Sequence, residues 1–210
     1  MQLQRGALIA IAIILMIGVS GCLDRLYERP VPPPTPTPMP VITPTPENPG
    51  ATATPSEMAL QPGDLPPDYF LRDRSIIAYD EVPAINRDLG WRQGYFVSFY
   101  QTDPRNEALT SIAQMSEIYP LENMNKLYAI EKDALLTHDM STEQYEIPFP
   151  VIGDRSFAIR ETHPGDPFRA DTYTVIFTLK NVFEKISMIG SATDYETFKR
   201  VVLEAEAKIR

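Results

Sequence analysis

Few residues in this sequence belong to the types that carry out covalent, redox or proton-transfer chemistry. The chain has one cysteine, Cys22, and two histidines, His138 and His163. A thiolate can form a disulfide, attack a substrate or be acylated, and a histidine can bind a metal or transfer a proton. Because secreted domains normally use cysteines in pairs, a single cysteine indicates a use other than a disulfide.

The surroundings of Cys22 indicate that use. An apolar run extends from Ala7 to Val19, with Arg5 before it and the small residues Ser20 and Gly21 after it. These are the parts of a secretory signal peptide. The string Val-Ser-Gly-Cys that ends at Cys22 resembles the lipobox of prokaryotic lipoprotein precursors, in which the cysteine is acylated. The sequence therefore predicts a signal peptide over residues 1–21 and a lipid on Cys22 that anchors the mature chain in the cell membrane.

An uncleaved anchor helix is the alternative for this segment. A membrane-spanning helix needs about 20 apolar residues, and a run stretched from Gly6 to Leu23 could just provide them. Both interpretations place everything after Cys22 on the extracytoplasmic face of the membrane.

A proline-rich segment follows the cysteine. Pro30–Pro55 holds eleven of the 21 prolines, interleaved with threonines and without aromatic residues. Such a composition cannot build a core, and proline favours extended polyproline II. We expect residues 22–57 to be a lipidated N-terminus followed by a disordered Pro/Thr-rich stalk, which is either O-glycosylated on its threonines or a plain spacer.

The remaining residues, 58–210, have the length and aromatic content of one globular domain. The whole chain carries 28 acidic and 19 basic residues, a net charge of −9. An acidic chain without a basic stripe argues against nucleic acid as a partner.

The hydrophobic pattern of this domain mixes strands and helices. Alternation predicts a hairpin of two strands, 172–179 and 182–189, with a tight turn at Lys180-Asn181, since asparagine tolerates positive φ. Weaker patterns predict strands over 76–79, 94–101, 110–119 and 155–161 and helices over 84–89 and 121–136, the latter with Ala134 on its buried side. Thr193 and Glu196 fit a capping box before a final helix, and the stripe of that helix consists of Tyr195, Phe198, Val202, Ala205 and Ile209. This order predicts an α+β fold, an antiparallel sheet packed with helices.

Four short strings of the domain resemble, in the same order, strings of small prokaryotic surface lipoproteins: Leu65–Phe70, Leu89–Trp91 with Gly94-Tyr95, Ile152–Phe157 and Phe177–Val182. Over residues 65–209 the layout is similar to the PsbP/Mog1-like family, and the Thr-Pro stalk resembles those of methanogen surface lipoproteins. The resemblance implies an αβα sandwich and a non-catalytic accessory or binding role. It supplies no catalytic motif that transfers residue by residue.

The histidines lead to two hypotheses. His138 with Asp139, or His163 with Asp166, could hold a metal ion, whereas their polar, turn-rich surroundings are typical of exposed loops. The sequence has no HExxH, no Cys-x-x-Cys pair and no EF-hand spacing. We therefore expect neither a bound metal nor a cofactor.

Other reaction classes have equally little support. The adjacent carboxylates Asp80 and Glu81 could perform acid–base work or bind calcium, but such pairs in an acidic chain are usually solvated surface. No Gly-x-Ser-x-Gly elbow and no glycine-rich phosphate loop occur. We predict no catalytic residue.

Aromatic residues are the last candidates. The run 95–100 after Trp91 is either a core strand or the lining of a ligand groove, because Trp and Tyr are frequent contact residues. Alternation separates Phe96 and Tyr100 from the residues expected to face the core, so Trp91, Phe96 and Tyr100 form a candidate ligand patch.

Together these patterns predict a lipid-anchored extracytoplasmic module that binds a small ligand or an envelope protein and is not an enzyme. Two alternatives stay open. One is an envelope hydrolase whose carboxylate or metal site has no recognisable motif, and the other is a purely structural envelope component.

Overall fold

The computed structural model describes residues 50–103, 108–137, 142–163 and 170–209. These residues belong to one compact unit, Pro44–Arg210. Outside the described residues lie positions 1–49, which hold the predicted signal peptide, Cys22 and most of the predicted stalk, together with His138, Asp139 and Asp166. Within the described ranges, no helix combines the length and apolar character that crossing a membrane requires.

The strands among the described residues form one antiparallel sheet. Its strands are β1 (Phe70–Ile76), β2 (Gln93–Asp103), β3 (Ala108–Ile118), β4 (Glu143–Glu146), β5 (Arg155–Thr162), β6 (Asp171–Leu179) and β7 (Val182–Gly190). Their order across the sheet is β1-β2-β3-β7-β6-β5-β4. Strand β1 is exposed along its whole length, and its pairing shifts between Leu71 and Asp73. A bulge and charged side chains on an edge strand discourage pairing with another chain.

Helices cover both faces of the sheet. They are α1 (Pro55–Met58), α2 (Ala84–Asp88), α3 (Met124–Leu136) and α4 (Tyr195–Ala207). Successive strand residues point to opposite faces, so each face has its own core. On the α4 face, apolar residues of α4 join Val175 and Phe177. On the α3 face, Leu127 of α3 joins Ile176 and Phe183.

The structure confirms the α+β fold with an antiparallel sheet and packed helices. The hairpin β6–β7, the strand over 110–119 and the apolar stripe of the last helix are where the sequence predicts them. Two local details differ. Lys180, with φ +57, takes the left-handed conformation in the hairpin turn instead of Asn181. Asp194 rather than Thr193 caps α4, since its carboxylate accepts from the Thr197 amide at 2.8 Å.

Other details of the secondary-structure prediction are wrong. The strand expected over 76–79 lies earlier in the chain, as β1, which ends at Ile76. Because β1 is exposed throughout, its sequence lacks the alternation of apolar and polar residues that marks a half-buried strand. Ala134 of α3 is exposed, not buried. Strand β4 and helix α1 were not predicted because each has four residues. Helix α1 adds residues before Met58 to the folded unit, since both Pro55 and Met58 are buried.

Candidate functional site

A cleft of about 390 Å³ opens where β1 ends and β2 begins. Its lining comes from Thr54–Ser56 at the start of α1, from Ile76, Ile77 and Tyr79, and from Trp91–Tyr95. We call it the Trp91 cleft. Ile76 is 78% exposed and Tyr79 is 61% exposed, so large apolar side chains border the cleft and face solvent. The volume lies within the range of small-ligand pockets.

Trp91 forms the fixed wall of this cleft. Its side chain is largely buried, and its indole Nε1 donates a hydrogen bond to Oε1 of Glu117 at 2.9 Å. The indole ring lies 6.1 Å from the Tyr79 ring, centroid to centroid. Gly94 leaves space beneath it, since a Cβ at that position would come within 3.1 Å of Trp91 Cζ2 and 2.8 Å of Ile77 Cδ1. These contacts hold the indole in one orientation.

A hydrogen-bond network inside the protein supports Glu117. The Tyr119 hydroxyl donates to Glu117 Oε2 at 3.0 Å, so each carboxylate oxygen has a donor. Asn86 Nδ2 donates to the Tyr119 hydroxyl at 3.1 Å and lies 3.2 Å from Oε1 of Glu131. The network therefore links Trp91 to the end of β3, to α2 and to α3.

The electrostatics of Glu117 reflect its burial. Desolvation raises the pKa of the Glu117 carboxyl, while the hydrogen bonds from Tyr119 and Trp91 favour its charged form and lower the pKa. The charge of Glu131 raises this pKa, and that of Lys185 lowers it. Burial also raises the pKa of Tyr119, so its hydroxyl stays protonated and remains a donor.

A second buried carboxyl, Glu184, lies on the α4 face of the sheet. It is fully buried and accepts a hydrogen bond from Gln114 Nε2 at 3.0 Å, and its Oε1 has no partner among the described residues. Gln114 in turn accepts from the Leu60 amide at 2.7 Å. Desolvation raises the pKa of Glu184 to about 8. This group is therefore a neutral acid at neutral pH, and it ties the segment after α1 to the sheet, away from the Trp91 cleft.

The cleft offers contact surfaces rather than acid–base groups. None of the described residues that line it is an aspartate, glutamate, histidine or cysteine. The exposed side chains of Ser56, Arg92 and Gln93 can donate hydrogen bonds at its rim. Rings and isoleucines beside such donors can hold the apolar and polar parts of one ligand.

The structure places the three residues of the predicted patch on one face of the sheet but not in one pocket. Phe96 and Tyr100 are half-buried on the α3 face, and the Tyr100 ring lies 5.9 Å from Phe70. Trp91 lies over Gly94, and six strand residues separate Gly94 from Tyr100, which is roughly 20 Å. One small ligand therefore cannot contact Trp91 and Tyr100 together.

Sequence reasoning identified Trp91 but missed its neighbours in the cleft. Ile76 is the last residue of an edge strand whose pattern is weak, and Ile77 and Tyr79 follow that strand. The approach of Thr54–Ser56 depends on tertiary packing. The one signal in the sequence is a run of large apolar residues, Ile76-Ile77-Ala78-Tyr79, directly before a turn.

The other candidate residues lie apart from this cleft. His163 is half-buried just after β5, while its proposed partner Asp166 lies outside the described residues. Asp80 is exposed, and Glu81 accepts a hydrogen bond from the Ala78 amide at 3.1 Å within the turn after β1. Among the described residues, no group of three or more His, Cys, Asp or Glu side chains could hold a metal ion.

Comparison with known proteins yields a fold and no family. No protein-family model matches the chain, and no curated protein matches it in sequence. Among solved structures, the fold is similar to the crystal structure of the extracellular domain of PknH from Mycobacterium tuberculosis, with a TM-score of 0.56 and 8% sequence identity. The alignment covers 75% of this chain and 97% of that chain. The likeness is one of fold.

Proposed function

We propose that the chain is a binding module, anchored by lipid on the extracytoplasmic face of the membrane, that holds its ligand in the Trp91 cleft. The observation that carries this proposal is the fixed indole of Trp91 in an open cleft of about 390 Å³. An aromatic wall held by internal hydrogen bonds binds without first losing conformational freedom. The PsbP/Mog1-like architecture implied by the sequence strings belongs to the same proposal.

The location is argued from the N-terminal segment. A signal peptide ending before Cys22, with a lipid on that cysteine, would put the folded unit outside the cytoplasm at the end of a proline-rich stalk. The membrane is then a partner through the lipid alone, and the ligand is a small molecule or part of an envelope protein.

A hydrolase has less support than a binding module. Two carboxylates accept hydrogen bonds from residues that line the cleft, Glu117 from Trp91 and Glu57 from Thr54, but neither lines it. Glu57 is engaged in the capping box of α1. Glu117 is only 3% exposed, and both its oxygens accept hydrogen bonds. A general acid or base must come within hydrogen-bond reach of its substrate. Trp91 would have to leave its place before Glu117 could do so.

The proposal is tested by capture with matched tyrosine variants. Full-length protein in liposomes would be incubated with envelope extract, and the retained material would be quantified by mass spectrometry. We expect wild type and Tyr145→Ser to retain the same saturable component, and Tyr79→Ser to retain at least tenfold less. Tyr79 and Tyr145 are both exposed tyrosines, at 61% and 52%, but Tyr145 lies on the opposite edge strand, β4. Equal retention by both variants would overturn the proposal.

A further inference from the structure

We propose that the Trp91 cleft binds a small amphipathic carboxylate, whose flat apolar body packs against Trp91 and Tyr79 and whose carboxylate pairs with Arg92. This inference rests on the proposed binding function and names the chemical class of its ligand. It arises from the charge of the cleft, from the unpaired guanidinium at its rim, and from the ring surfaces beside it.

The charge of the cleft is opposite to that of the chain. The whole chain has a net charge of −9, yet Arg92 is the charged residue among the described residues that line the cleft. A cleft lined by one sign of charge raises the local concentration of ions of the other sign. The lining therefore favours an anionic ligand over a neutral or cationic one.

The Arg92 side chain is available to a ligand. It is exposed, and among the described residues its guanidinium has neither an ion-pair nor a hydrogen-bond partner. Its backbone is fixed, because the Arg92 amide donates to the Ile118 carbonyl at 2.9 Å. A guanidinium presents parallel N–H donors that match the two oxygens of a carboxylate. Arg92 can therefore bind a carboxylate at the rim without giving up another contact.

The acidic residues around the cleft do not occupy Arg92. Asp80, Glu81 and Glu57 are close in sequence to lining residues, but none of them lines the cleft. Glu57 accepts from the amide and the hydroxyl of Thr54, both at 2.8 Å, and Glu81 accepts from a backbone amide of its own turn. Two of the three carboxylates are therefore held by local donors, which leaves the guanidinium to a ligand.

The apolar side of the cleft suits a ring. The indole Nε1 of Trp91 already donates to Glu117, so Trp91 offers a ligand its ring surface and no donor. The Tyr79 ring lies 6.1 Å from the indole, and the two planes are inclined at 54°. Ile76 and Ile77 extend this apolar side. A ligand that combines an apolar ring with one polar group would use the whole lining.

A second arginine positions the Tyr79 ring. The guanidinium carbon of Arg87, in α2, lies 5.4 Å from the centroid of that ring. A cation over a ring face is attracted by the electrons of the ring and so restrains it. Arg87 does not line the cleft. It is therefore a positioning residue for Tyr79, and its charge beside that wall also favours an anion.

The number of charges favours a carboxylate over a phosphate. A carboxylate carries one negative charge, whereas a phosphate monoester carries about −1.5 to −2 at neutral pH. Among the described residues, one arginine lines the cleft and no lysine does. One guanidinium balances one carboxylate, so a phosphate would keep part of its charge without a partner.

Probes that differ in charge test the ligand class. Isothermal titration calorimetry on the full-length protein in detergent would compare 1-naphthylacetate, the uncharged 1-naphthylacetamide and 1-naphthyl phosphate. We expect the carboxylate to bind at least tenfold more tightly than the amide, because a charged hydrogen-bonded pair is lost in the amide. The phosphate should bind more weakly than the carboxylate.

Matched arginine variants test the residue. Arg92→Gln should weaken binding of the carboxylate at least tenfold and leave binding of the amide unchanged. Arg200→Gln removes the same charge at an exposed position of α4 and should change neither. No binding of the carboxylate, equal binding of carboxylate and amide, tighter binding of the phosphate, or carboxylate binding that survives Arg92→Gln would overturn the proposal.

The capture from envelope extract separates this inference from the proposed function. If Arg92→Gln retains the captured component while Tyr79→Ser does not, or if that component is uncharged, as a sugar would be, the binding function stands and the ligand class is wrong. If retention is independent of Tyr79 as well, both proposals fail.

Discussion

Glu117 links the inside of the protein to the cleft because a single carboxylate fixes the orientation of Trp91. Both of its oxygens accept hydrogen bonds, one from the indole and one from Tyr119. A buried acceptor of this kind is expensive to remove, because its donors then lose their partner without gaining water. Glu117 therefore acts as a positioning residue for the cleft wall.

Replacing Glu117 with alanine should loosen Trp91 and destabilise the fold. We expect Glu117→Ala to lower the free energy of unfolding by about 2–6 kcal/mol, since two buried donors lose their acceptor at about 1–3 kcal/mol each. Urea unfolding followed by Trp91 fluorescence measures this, and the native emission should also shift to the red. Glu204→Ala, at an exposed position of α4, should stay within about 0.5 kcal/mol of wild type. Similar stabilities for both variants would contradict the positioning role.

Glu184 should make stability depend on pH. Its pKa is about 8 in the folded state, against an ordinary value of 4.5. Between these two pH values, Glu184 keeps its proton in the folded protein and has lost it in the unfolded chain. The stabilising contribution is complete below pH 4.5 and is lost as pH rises towards about 8. The groups that act on Glu184 are Gln114 and Ser116, whose hydrogen bonds lower the pKa, and the charge of Glu117, which raises it.

The measurement compares wild type with Glu184→Gln, which keeps the shape and cannot ionise. The unfolding free energy of wild type, relative to that of Glu184→Gln, should decrease from pH 5 to 8 and stay constant above that range. Parallel stability curves for the two proteins would show that Glu184 does not titrate in this range.

At the residue scale, the sequence indicated Trp91 but not what surrounds it. A lone tryptophan beside Gly94 is visible in the sequence, whereas the approach of Tyr79 and Pro55 arises from tertiary packing. Phe96 and Tyr100 were grouped with Trp91 because alternation gives the face of a strand. Alternation does not give the distance along the strand, which separates Tyr100 from the cleft.

Among the elements, predictability followed burial. Strands β6 and β7 are buried in the middle of the sheet and carry strong apolar patterns, so the sequence located them correctly. The edge strands β1 and β4 bury little, and their sequences therefore lack a clear period. The lining of the cleft was hard to predict for the same reason, because the cleft lies at the end of the edge strand β1.

The loop before β5 depends on a glycine that sequence patterns alone did not single out. Gly153 has φ +57, and a Cβ there would lie 2.2 Å from the Thr178 carbonyl oxygen. We expect Gly153→Ala to cost about 2–4 kcal/mol, combining left-handed strain with overpacking against backbone. Gly63→Ala is the matched control, because a Cβ at position 63 would meet nothing within 4 Å. Thermal unfolding of the two variants should differ clearly, and equal melting temperatures would argue against a tight contact at Gly153.

In the proposed function, the folded unit and the N-terminal segment contribute different parts. The sheet with its two helical layers positions a cleft, and the predicted signal peptide and lipid on Cys22 would determine where that cleft operates. Signal-peptide and lipobox patterns are local, so a sequence alone can indicate location. A binding site assembled from α1, β1 and β2 is not local, and this is why its lining had to come from the structure.

The lipid on Cys22 is a prediction about the whole chain, and its test is intact mass. Membrane-extracted wild-type protein should have the mass of residues 22–210 plus acyl chains, because one lipid chain gives only marginal membrane binding and stable anchoring needs two signals. Cys22→Ser should keep residues 1–21 and gain no lipid mass. Mass is the deciding readout rather than location, since an uncleaved apolar segment could itself hold the variant at the membrane. A wild-type mass equal to the unmodified chain from Met1 would favour the anchor helix and would remove the lipid from the proposed tether.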